Sequence, residues 1–189
     1  MRGTIYFLVF DGFADWQCAL ALCEIRRPGD WQVQTVGFSY AAVHSMGGLC
    51  VQPDLVLDQL DLANAAMLIV PGGHLWPRGQ GESALLALRQ LHAAGAVVAG
   101  IDSAVLAMAR AGLLDDCRHT GNWRGQIVAQ VPAYTGAAKY NSEVLAVSDG
   151  GVISASHLGS VEFAREVIHA LDLYNATDRD HWYRLFKHA

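Results

Sequence analysis

The stretch VVAGIDSAVLAMARAGLLDD, Val97–Asp116, decides the fold. An apolar run over Ala96–Ile101 reads as a buried strand. It stops at Asp102-Ser103, and an alanine-rich pattern with helical spacing over Ser103–Ala111 starts at once. A strand passing directly into a helix is the sharp junction at which α/β enzymes often expose a nucleophile. On these residues alone two readings of Asp102 stay open. It is a helix N-cap, a role Asp favours because its carboxylate accepts the orphan N–H groups of the first turn. Or it is the functional group of an elbow.

The segments on either side repeat the alternation. Thr4–Phe10 predicts a first strand, rich in β-branched and aromatic residues. Ala14–Arg26 predicts a helix with Trp16, Ala19, Leu20 and Cys23 on one face, ended by Pro28-Gly29-Asp30. Trp31–Phe38 reads as a strand, and Val43–Val51 as a hairpin around Gly47-Gly48. Met67–Val70 is another buried strand, closed by Pro71-Gly72-Gly73. Glu82–Ala93 is helical, with Ala84, Leu85, Leu88 and Leu91 toward the core. Beyond Gly112, Val144–Ser148 and Val152–Ala155, joined at Asp149-Gly150-Gly151, read as a hairpin or as two closing strands. Val161–Leu173 is an amphipathic helix, and Asp180–Lys187 a short last one.

This order implies one α/β domain over residues 1–189, a mostly parallel sheet with helices on both faces. Ligands of open α/β sheets bind beyond the carboxyl ends of the strands. Four loops meet there: Asp11-Gly12, Pro71-Gly72-Gly73-His74, Ile101-Asp102-Ser103 and Ser156-His157. Asp102 thus stands at the mouth of a crevice.

Composition excludes other classes. Hydrophobic residues make up 52% and charged ones 16%, the reverse of a disordered chain. The net charge of -5 with no basic run argues against nucleic acid. No apolar segment has bilayer length, and Asp11 and Asp15 follow the first apolar run too closely for a signal peptide. Cys18, Cys23, Cys50 and Cys117 form no C-x-x-C pair, so reduced thiols in a cytoplasmic protein are expected. The eight histidines show no metal-binding spacing. Neither metal nor cofactor is expected.

VPGGHLW, AGIDSAVLAMARAGLLDDCRHTGN, SASHLGSVEFAREVIHALDLY and the terminal WYRLFKHA together resemble the ThiJ/PfpI superfamily, within the class I glutamine amidotransferase-like folds. The resemblance covers nearly the whole chain. It implies a flavodoxin-like three-layer sandwich, a homodimer, and activities from peptide hydrolysis and glyoxalase or deglycase chemistry to isonitrile hydration and stress roles. It also implies an elbow cysteine, a glutamate from the first helix bonded to it, and an oxyanion hole of N–H groups near Pro-Gly-Gly.

The sequence departs from that pattern at two positions. The elbow reads Gly100-Ile101-Asp102-Ser103 where a cysteine is expected, and the first helix opens Ala14-Asp15-Trp16-Gln17 where a glutamate is expected. The changes are complementary. Two carboxylates there would crowd like charges and raise one pKa strongly. Gln17 instead donates an amide N–H to Asp102, a charge-assisted bond of roughly 1.5–3 kcal/mol. An aspartate also imitates a cysteine oxidised to sulfinate in charge and shape.

The reading is a ThiJ/PfpI-like protein without cysteine hydrolase activity that binds a small molecule or serves a stress role. The alternative is a hydrolase or lyase in which Asp102 attacks carbon with a histidine as base, drawn from His74, His119 and His157. Catalytic candidates are Asp102, Gln17 and His157. Ligand-binding candidates are Asp15, Gly72, Gly73, His74, Ser103 and Asn122. Trp16, Trp76 and Trp123 either line the pocket or serve as core or interface bulk. Cys18 should point away along its helix. Arg118 beside Cys117 could lower that thiol's pKa.

Overall fold

The computed structural model describes residues 2–187. Its centre is a seven-stranded sheet. Strands β1 (Thr4–Leu8), β2 (Gln32–Gly37), β5 (Leu55–Val56), β6 (Ala65–Val70), β7 (Val97–Ile101) and β9 (Val152–Ala155) run parallel, and β8 (Ala146–Asp149) pairs antiparallel with β9. The order is β5-β2-β1-β6-β7-β9-β8. The five long parallel strands thus follow the flavodoxin order, whose reversal point opens a crevice between β1 and β6. Strands β3 (Val43–His44) and β4 (Cys50–Val51) form the separate hairpin expected around Gly47-Gly48.

Helices α1 (Asp15–Arg26) and α5 (Ser160–Ala170) pack together, with α6 (Ala176–Lys187) against α5. Helices α2 (Glu82–Ala93) and α3 (Ala104–Arg110) pack against β6 and β7 and against each other, with α4 (Arg124–Gln130) beyond α3. Every residue of β1 is buried, as a strand covered on both faces must be. The core runs from Ile5, Leu8 and Val9 through Leu68, Ile69, Val98 and Ile101 to Ala164 and Ile168.

Helix α2 spans the predicted residues with the predicted face inward. Helix α1 turns the other way. Gln17, Cys18, Ala21, Glu24 and Ile25 are buried, while Trp16 is 54% exposed and Cys23 is exposed. Two polar residues on the inner face explain the rotation. Glu24 accepts from Tyr174 at 2.7 Å and from Arg27 at 3.0 Å, and Gln17 faces the elbow. Cys18 therefore points into the core, where burial pushes its thiol pKa far up.

Asp102 forms the junction between β7 and α3. Its φ of 61° is left-handed, a conformation L residues rarely adopt but Asp tolerates better than most. Gly100 makes the return of α3 possible, since a Cβ there would overlap Met108 Sδ. The N-cap position falls on Ser103, and no side chain caps the helix. The capping reading of Asp102 is therefore set aside: the left-handed turn directs its carboxylate to partners on other elements.

Candidate functional site

Two side chains from two other segments bond Asp102, and a third reaches it through one of them. Gln17, in the first turn of α1 and 2% exposed, donates from Nε2 to Asp102 Oδ2 at 2.9 Å. Its Oε1 accepts from the Gly72 N–H at 2.8 Å. On the other side, Asn122 Nδ2 donates to Asp102 Oδ1 at 2.5 Å. Asn122 Oδ1 accepts from the His157 N–H at 2.8 Å and from His157 Nδ1 at 3.0 Å. A continuous chain thus runs Gly72–Gln17–Asp102–Asn122–His157. It fixes both amide orientations and places the proton of a neutral His157 on Nδ1, leaving Nε2 as an acceptor.

Close approach of the Pro71-Gly72-Gly73 turn is essential to this cluster. A Cβ at Gly72 would overlap both Asp102 Oδ2 and Gln17 Oε1. The expectation that Gly72 and Gly73 bare their N–H groups toward an anion is corrected. Gly72 donates to Gln17, and Gly73 donates to Ser103 Oγ at 2.9 Å. Ser103 Oγ in turn donates to the Gly73 carbonyl at 3.1 Å. Asp102 takes neither N–H. Internal acceptors satisfy both donors, as burial demands.

The remaining candidates separate. Asp15 is held by the hairpin, accepting from Ser45 Oγ at 3.0 Å and the Gly47 N–H at 3.2 Å. This tie fixes β3 and β4 against the start of α1. His74 is exposed, its ring beside Gly12. His119 is fully buried between the Cys117 carbonyl, 2.9 Å from Nδ1, and the Tyr134 hydroxyl, 2.5 Å from Nε2. Burial holds its pKa below the ordinary value of 6.5. It is a core histidine with both nitrogens engaged.

Trp76 is fully buried and donates from Nε1 to the Pro71 carbonyl at 2.8 Å. It braces the turn that carries Gly72. Trp16 and Trp123 are exposed. Arg118 does not activate Cys117. Burial and then Asp149 push its thiol pKa up, and Arg118 is drawn to Asp149, which accepts from its N–H at 2.7 Å. Asn122, a ligand-binding candidate from the sequence, is the bridge between the elbow and His157. No group of metal-binding side chains occurs among the described residues.

A strand-to-helix elbow at the carboxyl edge of a flavodoxin-ordered sheet, faced by the first helix and a Pro-Gly-Gly turn, defines a class of α/β sandwich proteins with their site at this edge. The chain belongs to the DJ-1/PfpI family, which matches residues 3–170. It is 30% identical over 190 residues to the uncharacterized protease YoaZ of Bacillus subtilis (strain 168), covering 97% of this chain and 90% of that one. Among solved structures it is similar to the DJ-1 superfamily protein Atu0886 from Agrobacterium tumefaciens, with TM-score 0.90 and 33% identity over 97% of each chain. It is also similar to a thiJ/pfpI family protein from Bacillus anthracis, with TM-score 0.90 and 31% identity over 100% of this chain and 92% of that one.

Proposed function

We propose that this chain is a DJ-1/PfpI family member that binds a small molecule at the Asp102 elbow and performs no cysteine-dependent hydrolysis. The carrying observation is the Gln17–Asp102 hydrogen bond at 2.9 Å. It joins the two residues that depart from the pattern the sequence resembles. Acyl transfer by such an elbow needs a soft nucleophile and free donors preorganised for an oxyanion. Here the elbow oxygens are held by two amide groups, and the Gly72 and Gly73 N–H groups already have internal acceptors. This supports a fixed acceptor site of the shape and charge of an oxidised elbow thiol. A stress role, a cytoplasmic location and a homodimer belong to the same proposal. Sedimentation equilibrium tests the last.

The experiment is to rebuild the family pair. The double variant Asp102→Cys with Gln17→Glu is expected to gain a thiol that reacts rapidly with iodoacetamide, and to gain peptidase or glyoxalase turnover absent from the parent. Turnover by the parent at the level of the double variant overturns the proposal.

One observation favours a second reading. Asn122 alone links His157 to Asp102, and its bond to His157 Nδ1 leaves Nε2 free to act as a base. In that reading Asp102 attacks a carbon electrophile and displaces a halide or the ring oxygen of an epoxide to form an ester, which water then cleaves to regenerate the carboxylate and release the alcohol. Intact-mass analysis after incubation with an epoxide or α-haloacid separates the two. An adduct localised to Asp102 supports the enzyme, and an unmodified Asp102 the binding protein.

A further inference from the structure

A cavity of about 410 Å³ adjoins the elbow. Asn122 and His157 line it and Asp102 does not, so the pair linking Asp102 to His157 is also the cavity's wall. The volume is that of a small-molecule site.

Its electrostatics are one-sided. Arg124 is the only Arg or Lys in the lining, and no Asp or Glu lines it. Among the described residues Arg124 has no ion pair, while Arg27, Arg118, Lys139, Arg165, Arg179 and Lys187 are all paired with acids. Arg2, Arg26, Arg78, Arg89, Arg110 and Arg184 likewise form no ion pair among the described residues, so what sets Arg124 apart is its place in a cavity lining that holds no acid.

Polar and apolar groups divide the rest. The Thr120 and Tyr140 hydroxyls are spent on the Val144 and Gly121 carbonyls. Ser156, 6% exposed, sits in the wall with a buried Oγ that has no partner. Such orphans are rare in native proteins and call for an explanation. Opposite in character, Trp123 and Leu158 are 68% and 69% exposed.

We propose that this cavity binds a small organic carboxylate, its head on the Arg124 guanidinium and its apolar body against Trp123 and Leu158. The planar fork of a single Arg matches a carboxylate in bidentate fashion. A phosphate dianion would want several cationic donors, and Arg124 is the one Arg or Lys in the lining. The proposal rests on the small-molecule reading above and supplies its ligand class.

Isothermal titration of the full chain with benzoate, benzamide and inorganic phosphate tests it. Benzoate is expected to bind saturably, with benzamide and phosphate weaker by at least about tenfold, the equivalent of losing one charged contact. Arg124→Gln should weaken benzoate by at least about tenfold, and Arg124→Lys should recover part of the loss. Circular dichroism verifies that each variant is folded, which an exposed Arg makes the expected result. Absent benzoate binding, equal binding of benzamide, preference for phosphate, or an unchanged Arg124→Gln each overturns the proposal. Turnover reads the rebuilt elbow and titration of the parent chain reads the Arg124 contact, so the two readings fail separately. The cavity can therefore stand even where the rebuilt elbow refutes the broader reading.

Discussion

Gln17 uses both ends of its amide at once, donating to Asp102 Oδ2 at 2.9 Å and accepting from the Gly72 N–H at 2.8 Å. An amide does both beside a carboxylate at any pH, whereas a carboxylic acid does so only while protonated. Gln17→Glu keeps the acceptor for Gly72 and sets a second carboxylate against Asp102. Like charges raise one of the two pKa values. An acid whose folded pKa lies above its unfolded value stabilises at low pH and loses that contribution as pH rises through the folded value. The variant should approach the parent near about pH 4.5 and fall about 1–3 kcal/mol below it near neutrality. Urea denaturation at the two pH values measures this. A deficit of equal size at both would show that charge repulsion is not its source.

The Asn122 bridge gives a local prediction. His157 donates its N–H to Asn122 Oδ1, and both residues are exposed. An exposed amide keeps exchange protection only through such a bond. Asn122→Ala should speed hydrogen exchange at His157 by about tenfold or more while leaving global stability within about 0.5 kcal/mol. Exchange mass spectrometry on a peptide spanning 155–159 reads it. Unchanged exchange there means that the Asn122–His157 contact does not persist in solution.

What the sequence could and could not disclose follows from what each residue contacts. Strands β6 and β7 and helix α2 bury apolar side chains at regular spacing, so periodicity located them and faced α2 correctly. Helix α1 buries Gln17 and Glu24, whose partners Asp102 and Tyr174 lie far along the chain, so apolar spacing selected its outer face. Helix α4 buries only Ile127, too little for a pattern, and passed unseen. The proximity of Gln17 to Asp102 was readable because two departures from one motif compensated each other. The occupancy of the Gly73 N–H by Ser103 was not, because no rule of local sequence joins positions 30 residues apart.

His119 predicts a pH dependence. The imidazole is fully buried, and burial holds its pKa below 6.5. With Nδ1 against the Cys117 carbonyl and so the donor there, Nε2 of the neutral ring accepts from the Tyr134 hydroxyl. A base with a lowered folded pKa binds fewer protons when folded. Its stability contribution is therefore complete above the unfolded value of 6.5 and is lost as pH falls through that value toward the folded one. Parent thermal stability should decline on acidification across this window. His119→Gln, which cannot titrate, should show a flatter profile there even with lower stability overall. Parallel profiles for parent and variant would assign the acid sensitivity to other groups.

Ser103 gives the sharpest test of the donors beside the elbow. Its buried Oγ accepts from the Gly73 N–H at 2.9 Å and donates to the Gly73 carbonyl at 3.1 Å. Ser103→Ala removes one oxygen and orphans two backbone groups of a buried residue. Leaving buried backbone groups unsatisfied costs about 1–3 kcal/mol, more than the net value of the bonds themselves. Ser142→Ala, at an exposed serine in a 3.3 Å contact with Glu143, should cost about 0.5 kcal/mol or less. Guanidinium unfolding of both variants measures the contrast. Ser103→Ala also frees the Gly73 N–H, so adding it to Asp102→Cys with Gln17→Glu should raise turnover per folded molecule if that donor can serve an oxyanion. A large stability loss without that gain would make Ser103 a structural clasp of the turn. A gain would mean that the parent keeps an oxyanion donor closed by a single hydroxyl.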